Sequence, residues 1–389
     1  MKIGLLSPYH GGSHKAWADG LMRNSAHDFT LFALPDRFWK WRMLGGAVTL
    51  AKQFLASEER FDLLLATDML DLTTFLALTR KKTAGQAFGH IPTLLYMHEN
   101  QLTYPLPSNK KTGPMRHQGG KRDQQLVFIN FASMLAADHV FFNSQFHRDS
   151  LLAALPNYLK QYPEHNELNS VEEIREKSEV LPVGVNLQRL DLGEALNHPS
   201  LISDPQSPAN QLPLILWNQR WEYDKNPEAF LAALYQLADE GVVFRVALCG
   251  PFFGKRPFLH DEAQQRLGDR IIHLGYADAN HYKELLWEAD ITLSTAHHEF
   301  FGISIIEAIY AETFPILPNR LSYPEIIPTG FHTSCLYENE EGMLAKLRWA
   351  LANVEDLRPF VEGLKTAVSG YDWSFQVSDY DQKLGKLST

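Results

Sequence analysis

Residues 290–318, DITLSTAHHEFFGISIIEAIYAETFPILP, contain the pattern that decides the fold. The order of apolar and polar residues predicts a strand, a loop, a helix and a second strand, at residues 291–293, 294–299, 301–312 and 314–317. Glu299 ends the loop, and Glu307 lies about two turns into the helix. Gly302 between them lets the backbone come close to a ligand. Because the unpaired amides of a helix start favour an anion, the segment predicts a site for a phosphate.

The composition is that of a globular protein with two domains. A chain of 389 residues is longer than one core usually grows. No apolar run reaches the roughly 18 residues of a membrane span, and the run at the amino terminus is broken at Ser7 and Pro8, so we expect a cytoplasmic protein without a signal peptide. The net charge of −10 argues against non-specific nucleic-acid binding by the whole surface. The two cysteines, Cys249 and Cys335, provide no metal framework and fit a reducing compartment.

Strand and helix patterns alternate in both halves, which predicts two parallel, doubly wound α/β sheets. The expected strands lie at residues 2–9, 29–34, 61–66, 92–97, 140–143 and 180–185, and then at 212–218, 244–250, 271–274, 291–293 and 314–317. The division that we expect is a first domain at 1–186, a linker at 187–211, a second domain at 212–370 and a terminal helical segment at 371–389.

Polar residues follow the expected strands of the first half at two places. Gly11 and Gly12 lie between the first strand and a helix, with Ser13 as the expected N-cap and His14 next. The triplet His98-Glu99-Asn100 follows a buried strand directly. The carboxyl ends of parallel strands are where α/β folds place ligand contacts. A plain tight turn and a structural histidine remain the alternatives.

In the second half, Arg220 and Lys225 lie in a loop between a strand and a helix. Asn226 is the expected N-cap of that helix, and Pro227 suits its first position. Arginine holds a phosphate bidentately and lysine acts as a point charge. The loop therefore predicts a diphosphate site.

Two basic segments are candidates for contact with a polyanion. Trp39, Trp41 and Arg42 belong to an aromatic and basic patch at residues 38–42 that suits stacking on a base. Residues 106–124 have no apolar period, which predicts a long loop. Its possible cations are Lys110, Lys111, Arg116, His117, Lys121 and Arg122. Tryptophans packed under a loop, and a solvated loop, are the alternatives.

The spacing of Glu299 and Glu307 resembles the E-x7-E motif of retaining GT-B glycosyltransferases of the glycogen-synthase-like group. Over most of its length the chain is similar to the tRNA-queuosine mannosyltransferase family. The blocks that carry this resemblance are GGSHK at 11–15, LPDRFWKWR at 34–42, YMHENQLTYP at 96–105, WNQRWEYDKNPE at 217–228, STAHHEFFGISIIEA at 294–308 and SYPEI at 322–326. The resemblance implies a GT-B fold of two Rossmann-like domains, with the last helix crossing back to the first domain. It also implies transfer of mannose from GDP-mannose to queuosine in tRNA, with retention.

The resemblance also implies roles for individual residues. Arg220 and Lys225 would hold the diphosphate, Glu307 the ribose hydroxyls, and Glu299 a sugar hydroxyl. The remaining donor-binding positions would be Gly11, Gly12, Phe300, Phe301, Gly302 and Ile303. His98 would lie near the sugar and the acceptor, and the acceptor would contact His14, Trp39, Trp41, Arg42, Glu99, Asn100, Lys110, Lys111, Arg116, Lys121 and Arg122.

The mechanism that the resemblance implies is a front-face reaction, in which the leaving phosphate takes the acceptor proton and Glu299 does not attack carbon. We expect no metal or other cofactor, because two cations and a helix start serve the diphosphate, and because no Asp-x-Asp motif occurs in these loops. His297, His298 and Glu299 lack a further ligand at metal spacing.

Two other functions are compatible with the sequence. A retaining GT-B enzyme acting on a lipid, a glycan or a small molecule would carry an apolar or cationic membrane face, of which the first half shows little sign. A non-catalytic module that binds nucleotide sugar or RNA would not release nucleoside diphosphate, whereas an enzyme would, in a manner that depends on Arg220.

Overall fold

The computed structural model contains two parallel six-stranded sheets, one in each of two units. It describes residues 1–83, 91–105, 123–191, 212–250 and 257–387. Unit 1 comprises Met1–Asn186 and Tyr371–Thr389, and unit 2 comprises Leu187–Gly370. The predicted fold class of two doubly wound α/β domains is confirmed.

Unit 1 is built on a sheet in the order β2-β1-β3-β4-β5-β6, in which every neighbouring pair is parallel. Its strands are β1 (Lys2–His10), β2 (Asp28–Pro35), β3 (Leu63–Thr67), β4 (Thr93–Met97), β5 (His139–Phe142) and β6 (Ser178–Val180). Its helices, numbered in chain order, are α1 (Gly12–Asn24), α2 (Trp39–Ala56), α3 (Leu72–Thr83), α4 (Gln124–Ala136), α5 (Gln145–Leu159), α6 (Ser170–Glu176) and α15 (Trp373–Lys386).

Unit 2 has the strand order β12-β11-β10-β7-β8-β9, again parallel throughout. Its strands are β7 (Leu214–Trp217), β8 (Arg245–Cys249), β9 (Ile271–Gly275), β10 (Ile291–Leu293), β11 (Phe314–Pro318) and β12 (Leu336–Tyr337). Its helices are α7 (Pro227–Asp239), α8 (Pro257–Leu267), α9 (Ala279–Glu288), α10 (Ile303–Tyr310), α11 (Tyr323–Ile326), α12 (His332–Cys335), α13 (Glu340–Ala352) and α14 (Arg358–Ser369). A short 3-10 helix at Gln188–Leu190 precedes them.

The central strands are buried along their whole length, as in β3, β4 and β7. A parallel sheet is covered by helices on both faces, so its strands are continuous apolar runs rather than alternating ones. The strand order reverses between β1 and β3 in unit 1 and between β7 and β10 in unit 2. The loops that leave the carboxyl ends of the strands at such a reversal diverge and leave a crevice where α/β proteins bind ligands.

The last helix belongs to unit 1, as predicted. Trp17 of α1 donates from Nε1 to the hydroxyl of Tyr380 in α15, at 2.9 Å. Trp373 packs so closely on Gly20 and Gly184 that an added Cβ would lie 2.0 and 2.4 Å from its indole. Side chains larger than hydrogen at these two positions would displace α15.

Two local predictions were wrong, and the predicted N-cap of α7 was confirmed. Strand β6 ends at Val180 instead of continuing to Val185, because its partner β5 ends at Phe142, whose carbonyl accepts the last ladder hydrogen bond from the amide of Leu181 at 2.8 Å. Helix α1 starts after Gly11, so Ser13 is not its N-cap. Asn226 does occupy the N-cap of α7, but in a left-handed conformation (φ 54°) and without a side-chain hydrogen bond.

Candidate active site

The two loops that carry the predicted donor residues leave neighbouring strands of unit 2. Residues 218–226 follow β7, residues 294–302 follow β10, and β7 pairs with β10 at the strand-order reversal. The backbone amides of His297 and His298 both donate to the carbonyl of Asp224, at 2.8 and 3.1 Å. The sheet and these hydrogen bonds therefore bring the cationic loop and the acidic loop together.

Lys225 is buried between the two loops. Its Nζ donates to the carbonyl of His298 at 2.8 Å and to Glu299 Oε2 at 3.0 Å. The ammonium group is thus fixed by two acceptors on the opposite loop. A lysine held this way presents its remaining hydrogen in a defined direction.

Arg220 is the more exposed cation of the pair. Its guanidinium lies 3.5 Å from Glu222 and 3.6 Å from Asp224 Oδ2, and the same Asp224 oxygen lies 3.4 Å from Lys225 Nζ. The Asp224 side chain has no exposure to solvent. One buried carboxylate therefore accompanies both cations, which holds two positive groups near each other.

Glu299 engages both of its carboxylate oxygens inside the site. Oε2 accepts from Lys225, and Oε1 accepts from the amide of Phe301 at 3.3 Å. Burial acts to raise the pKa of Glu299, but the charge of Lys225 and these hydrogen bonds prevail and hold that pKa below its ordinary value. Glu299 is therefore an anion at neutral pH.

Helix α10 begins directly beside this carboxylate. Its N-cap, Gly302, has φ +101°, and a Cβ there would lie 3.0 Å from Ile326 and 3.6 Å from Glu299. Phe300 and Phe301 are buried, and Phe300 packs edge-on against His298. Ile303 opens the helix, so its first turn follows Glu299 closely in the chain, and the amides of Ile305 and Ile306 donate to the carbonyl of Gly302.

Glu307 lies on the same helix with both oxygens bonded. Tyr282 of α9 donates its hydroxyl to Oε2 at 2.9 Å, and Arg189 donates to Oε1. Asn218 joins this group to the cationic loop, because its Nδ2 reaches the Tyr282 hydroxyl at 3.2 Å and the carbonyl of Ser304 at 2.7 Å. The side chains predicted to bind the donor thus belong to one connected network in unit 2.

In unit 1, His14 and His98 are brought together at the carboxyl ends of β1 and β4. Their ring centroids are 4.5 Å apart, and Trp17 and Tyr96 each lie 4.7 Å from the His98 ring. Burial lowers the pKa of His14 to about 4, and burial followed by the charges of His14 and His147 lowers the pKa of His98 well below its ordinary value. Both imidazoles are therefore neutral at pH 7. His98 Nε2 is buried and has no hydrogen-bond partner in the described part of the chain.

The glycines beside this cluster differ in what surrounds them. Gly11 is extended, and the carboxylate of Asp36 lies 1.9 Å from where its Cβ would be, so glycine is explained there by close packing. Gly12 has φ +51° and open space at its Cβ position. The space beside Gly12, unlike that beside Gly11, is thus open to a ligand.

Glu99 and Asn100 follow His98 with different surroundings. Asn100 is fully buried, and its Oδ1 accepts from the amides of Leu102 and Thr103 at 3.0 and 2.8 Å, so it shapes its own turn. Glu99 is half-buried and accepts from Gln101 at 3.3 Å. Contact of either residue with an acceptor stays a prediction.

The aromatic patch of residues 38–42 forms the start of α2. Trp41 is 62% exposed and Phe38 is 78% exposed, while Trp39 stacks with Lys40 at 5.6 Å from its ring centroid. Arg42 Nε donates to the carbonyl of Pro35 at 3.0 Å. Trp39, at 39%, and Trp41 are thus both exposed residues. The predicted contacts at Lys110, Lys111, Arg116, His117, Lys121 and Arg122 lie outside the described residues.

Neither a cluster of metal ligands nor a membrane-spanning helix is found among the described residues. They contain no group of three or more His, Cys, Asp and Glu side chains arranged to hold a metal ion. None of their helices has the length and apolar character that crossing a membrane requires.

Several members of these networks carry no recognisable sequence signal. Asp224, Tyr282 and Arg189 are ordinary residues in their segments. Asp224 stands next to Lys225, which was the one available hint. The others are brought in from helices that are distant in sequence.

The same fold occurs in solved glycosyltransferase structures. Sucrose-phosphate synthase from Thermosynechococcus elongatus matches with a TM-score of 0.71 at 15% identity, over 100% of this chain and 99% of that chain. A glycosyltransferase from Rickettsia africae matches with a TM-score of 0.66 at 15% identity, over 99% of this chain and 98% of that chain. The fold of the chain is therefore the GT-B fold of these glycosyltransferases.

Sequence comparisons identify the family. The profile for the N-terminal part of tRNA-queuosine alpha-mannosyltransferase matches residues 2–185, and that for group 1 glycosyl transferases matches residues 202–365. The tRNA-queuosine alpha-mannosyltransferase of Drosophila melanogaster is 33% identical over 344 residues, which are 88% of this chain and 85% of the fly protein. The chain belongs to the tRNA-queuosine alpha-mannosyltransferase family.

Proposed function

We propose that the chain transfers mannose from GDP-mannose to queuosine in tRNA with retention of configuration. The observation that carries the donor half of this proposal is the hydrogen bond between Lys225 and Glu299, 3.0 Å long, across adjacent loops at the strand-order reversal of unit 2. The relationship to the fly enzyme supports the acceptor half.

The diphosphate of the donor binds to Arg220 and Lys225 and to the start of α10. Arg220 provides an exposed planar fork, and Lys225 a buried point charge. Stabilising the charge that grows on the leaving diphosphate is usually the largest catalytic contribution. Glu307, oriented by Tyr282, accepts hydrogen bonds from the ribose.

Glu299 positions the sugar and does not form a bond to it. Its carboxylate already accepts from Lys225 and from the Phe301 amide, which directs its oxygens within the loop. The leaving phosphate takes the acceptor proton. A mannosyl adduct on Glu299, detected by mass spectrometry of protein incubated with donor alone, would contradict this mechanism.

Unit 1 binds the acceptor. His98 is a neutral imidazole whose buried Nε2 has no hydrogen-bond partner among the described residues, which suits a hydrogen bond to a substrate hydroxyl. His14 packs beside it, and Glu99, Asn100, Trp39, Trp41 and Arg42 are the neighbouring candidates for contact with the tRNA. The cations of residues 106–122 remain candidates from sequence alone.

No divalent metal is required, because Arg220 and Lys225 supply the positive charge that a metal otherwise provides. Transfer should therefore proceed at an unchanged rate after dialysis against a chelator and in the presence of EDTA. Loss of activity in EDTA that returns with added Mg²⁺ would contradict this part of the proposal.

The experiment is incubation of the protein with GDP-mannose and a queuosine-containing tRNA, followed by mass analysis of the nucleosides. Mannosylated queuosine should appear, and the same tRNA without queuosine should stay unmodified. Arg220→Ala should abolish the product, while Arg348→Ala, which removes an exposed surface pair with Glu240, should not. If GDP is released but tRNA is unmodified, the acceptor is a different molecule; if nothing is released from GDP-mannose, the donor is wrong.

A further inference from the structure

His98 follows the middle one of three adjacent strands. It comes directly after β4, Asp68 directly after β3, and Asn143 directly after β5. Strand β4 lies between β3 and β5, with Thr67 paired to Tyr96 and Met97 paired to Phe142. The parallel register therefore places one polar side chain on each side of His98.

Both backbone groups of His98 are bonded by these two side chains. The amide of His98 donates to Asp68 Oδ1 at 2.9 Å, and its carbonyl accepts from Asn143 Nδ2 at 2.9 Å. Asp68 and Asn143 are both buried, at 1% and 4% exposure. Buried hydrogen bonds of this kind are protected from competition with water and fix the residue between them.

Asp68 and Asn143 are themselves held in place. The carbonyl of Asp68 accepts from Asn130 Nδ2 at 3.0 Å, which ties its turn to α4. Asn143 Oδ1 lies 2.8 Å from Nδ1 of His147, a fully buried residue. Because the Asn143 amide nitrogen donates to His98, its oxygen is the acceptor, so His147 Nδ1 carries the hydrogen. The support extends from two helices to the His98 backbone.

The His98 ring is confined as well. His14, Trp17 and Tyr96 surround it at centroid distances of 4.5 to 4.7 Å, and Nε2 remains without a partner in the described residues. An unsatisfied buried nitrogen is costly unless a ligand completes it. Confinement of both backbone and ring is the arrangement expected for a group that must meet a substrate at a fixed position.

We propose that Asp68 and Asn143 are positioning residues that fix the His98 backbone from the two flanking strands, so that His98 Nε2 meets a substrate hydroxyl. This inference rests on the binding role proposed above for His98. Asp68 acts as a hydrogen-bond acceptor, and its negative charge is not required. Burial, followed by the neighbouring charge of Glu99, raises the pKa of Asp68 well above its ordinary value, which agrees with this neutral role.

The test compares Asp68→Ala, Asp68→Asn and Asn143→Asp with His98→Ala in the mannosyl-transfer assay. Asparagine keeps an oxygen that accepts from the His98 amide, so Asp68→Asn should restore most of the kcat that Asp68→Ala loses, about tenfold to a hundredfold. Asn143→Asp removes the donor to the His98 carbonyl and should lower kcat. In the His98→Ala background, Asp68→Ala should have no further effect.

Asp138→Ala is the matched control. Asp138 accepts from the amide of Thr93 at 2.7 Å, the same kind of bond at the opposite end of β4. It should change stability without changing kcat. Equal loss of kcat in Asp68→Asn and Asp68→Ala, or additive losses with His98→Ala, would overturn the inference.

A second measurement does not depend on the proposed reaction. The titratable groups near the His98 ring are His14, His147 and Tyr96, and Glu99 follows His98 in the chain. In the wild type, the chemical shifts of the His98 ring protons should stay constant between about pH 6 and 8, because the imidazole stays neutral. In Asp68→Ala they should broaden or titrate as water enters, and in Asp68→Asn they should not. An unchanged spectrum in Asp68→Ala would contradict positioning even if the protein transfers no mannose.

Discussion

Lys225 and Glu299 form an ion pair in which both side chains are largely buried, with exposures of 10% and 19%. Removing one member of such a pair leaves the other charge buried without compensation, whereas an exposed pair adds little. Breaking the pair by removing one partner should therefore destabilise unit 2.

Lys225→Met should lower the free energy of unfolding by about 3 to 5 kcal/mol. The control is Lys365→Met, which breaks a 2.8 Å pair with Glu312 that is 32% and 50% exposed and should cost about 0 to 1 kcal/mol. Urea unfolding followed by circular dichroism measures both. Similar small losses in the two variants would show that the buried pair is not a stabilising element.

The same pair predicts a dependence on pH. The pKa of Glu299 is lowered in the folded state, so its contribution is complete above the ordinary value of 4.5 and is lost as the pH falls through the lower, folded value. The difference in unfolding free energy between wild type and Glu299→Gln should be constant above about pH 5.5 and shrink below 4.5. A difference that grows with acidity would contradict the assignment of the charged state.

At the scale of the residue, the sequence predicts which side chains are chemically suited to bind a sugar donor. It does not predict which other residues hold those side chains in place. Arg220, Lys225, Glu299 and Glu307 stand out because of spacing within two segments. Asp224 has no distinguishing pattern, because its importance depends on burial between two loops. The same is true of Asp68 and Asn143, whose positions follow from strand pairing.

At the scale of the element, α2 presents its amino-terminal aromatics to solvent. Phe38, Trp39 and Trp41 are 78%, 39% and 62% exposed, and a contiguous exposed apolar patch is typical of an interaction site. The helix begins at Trp39 after Phe38, which has a left-handed backbone (φ 53°). The tryptophans therefore project from a fixed helix end rather than from a variable loop.

Trp41→Ala should weaken tRNA binding by about 1 to 3 kcal/mol, the usual contribution of one stacked base, and leave the unfolding free energy nearly unchanged. Phe375→Ala is the matched control, because Phe375 is 66% exposed on α15 of the same unit and is not part of the patch. Filter binding at fixed salt compares the three proteins. Equal affinities for wild type and Trp41→Ala would exclude the patch from the interface.

Elements with a strong apolar period were predictable, and their ends were less so. The strand expected at residues 180–185 stops after Val180, because its only paired neighbour in the described sheet, β5, ends at Phe142. The sequence predicted Ser13 as the N-cap of α1. The helix instead starts at Gly12, because Gly11 adopts the extended N-cap conformation. The position of a cap depends on local backbone conformation and hydrogen bonding, which local composition does not fix.

At the scale of the whole molecule, alternation of strands and helices was enough to predict two parallel sheets. The strand order was not predictable, because it depends on which strands pair. That order puts β7 beside β10 and β4 between β3 and β5, and so produces both the donor network and the support of His98. The family resemblance specified the chemistry, and pairing specified which side chains meet.

The proposed transfer reaction requires the donor diphosphate to bind at the start of α10 in unit 2. A crystal structure of the full chain with GDP tests this directly. We expect phosphate oxygens within hydrogen-bond distance of Arg220 and Lys225 and a ribose hydroxyl on Glu307. Phosphates bound elsewhere, with Lys225 still contacting only Asp224, His298 and Glu299, would contradict it.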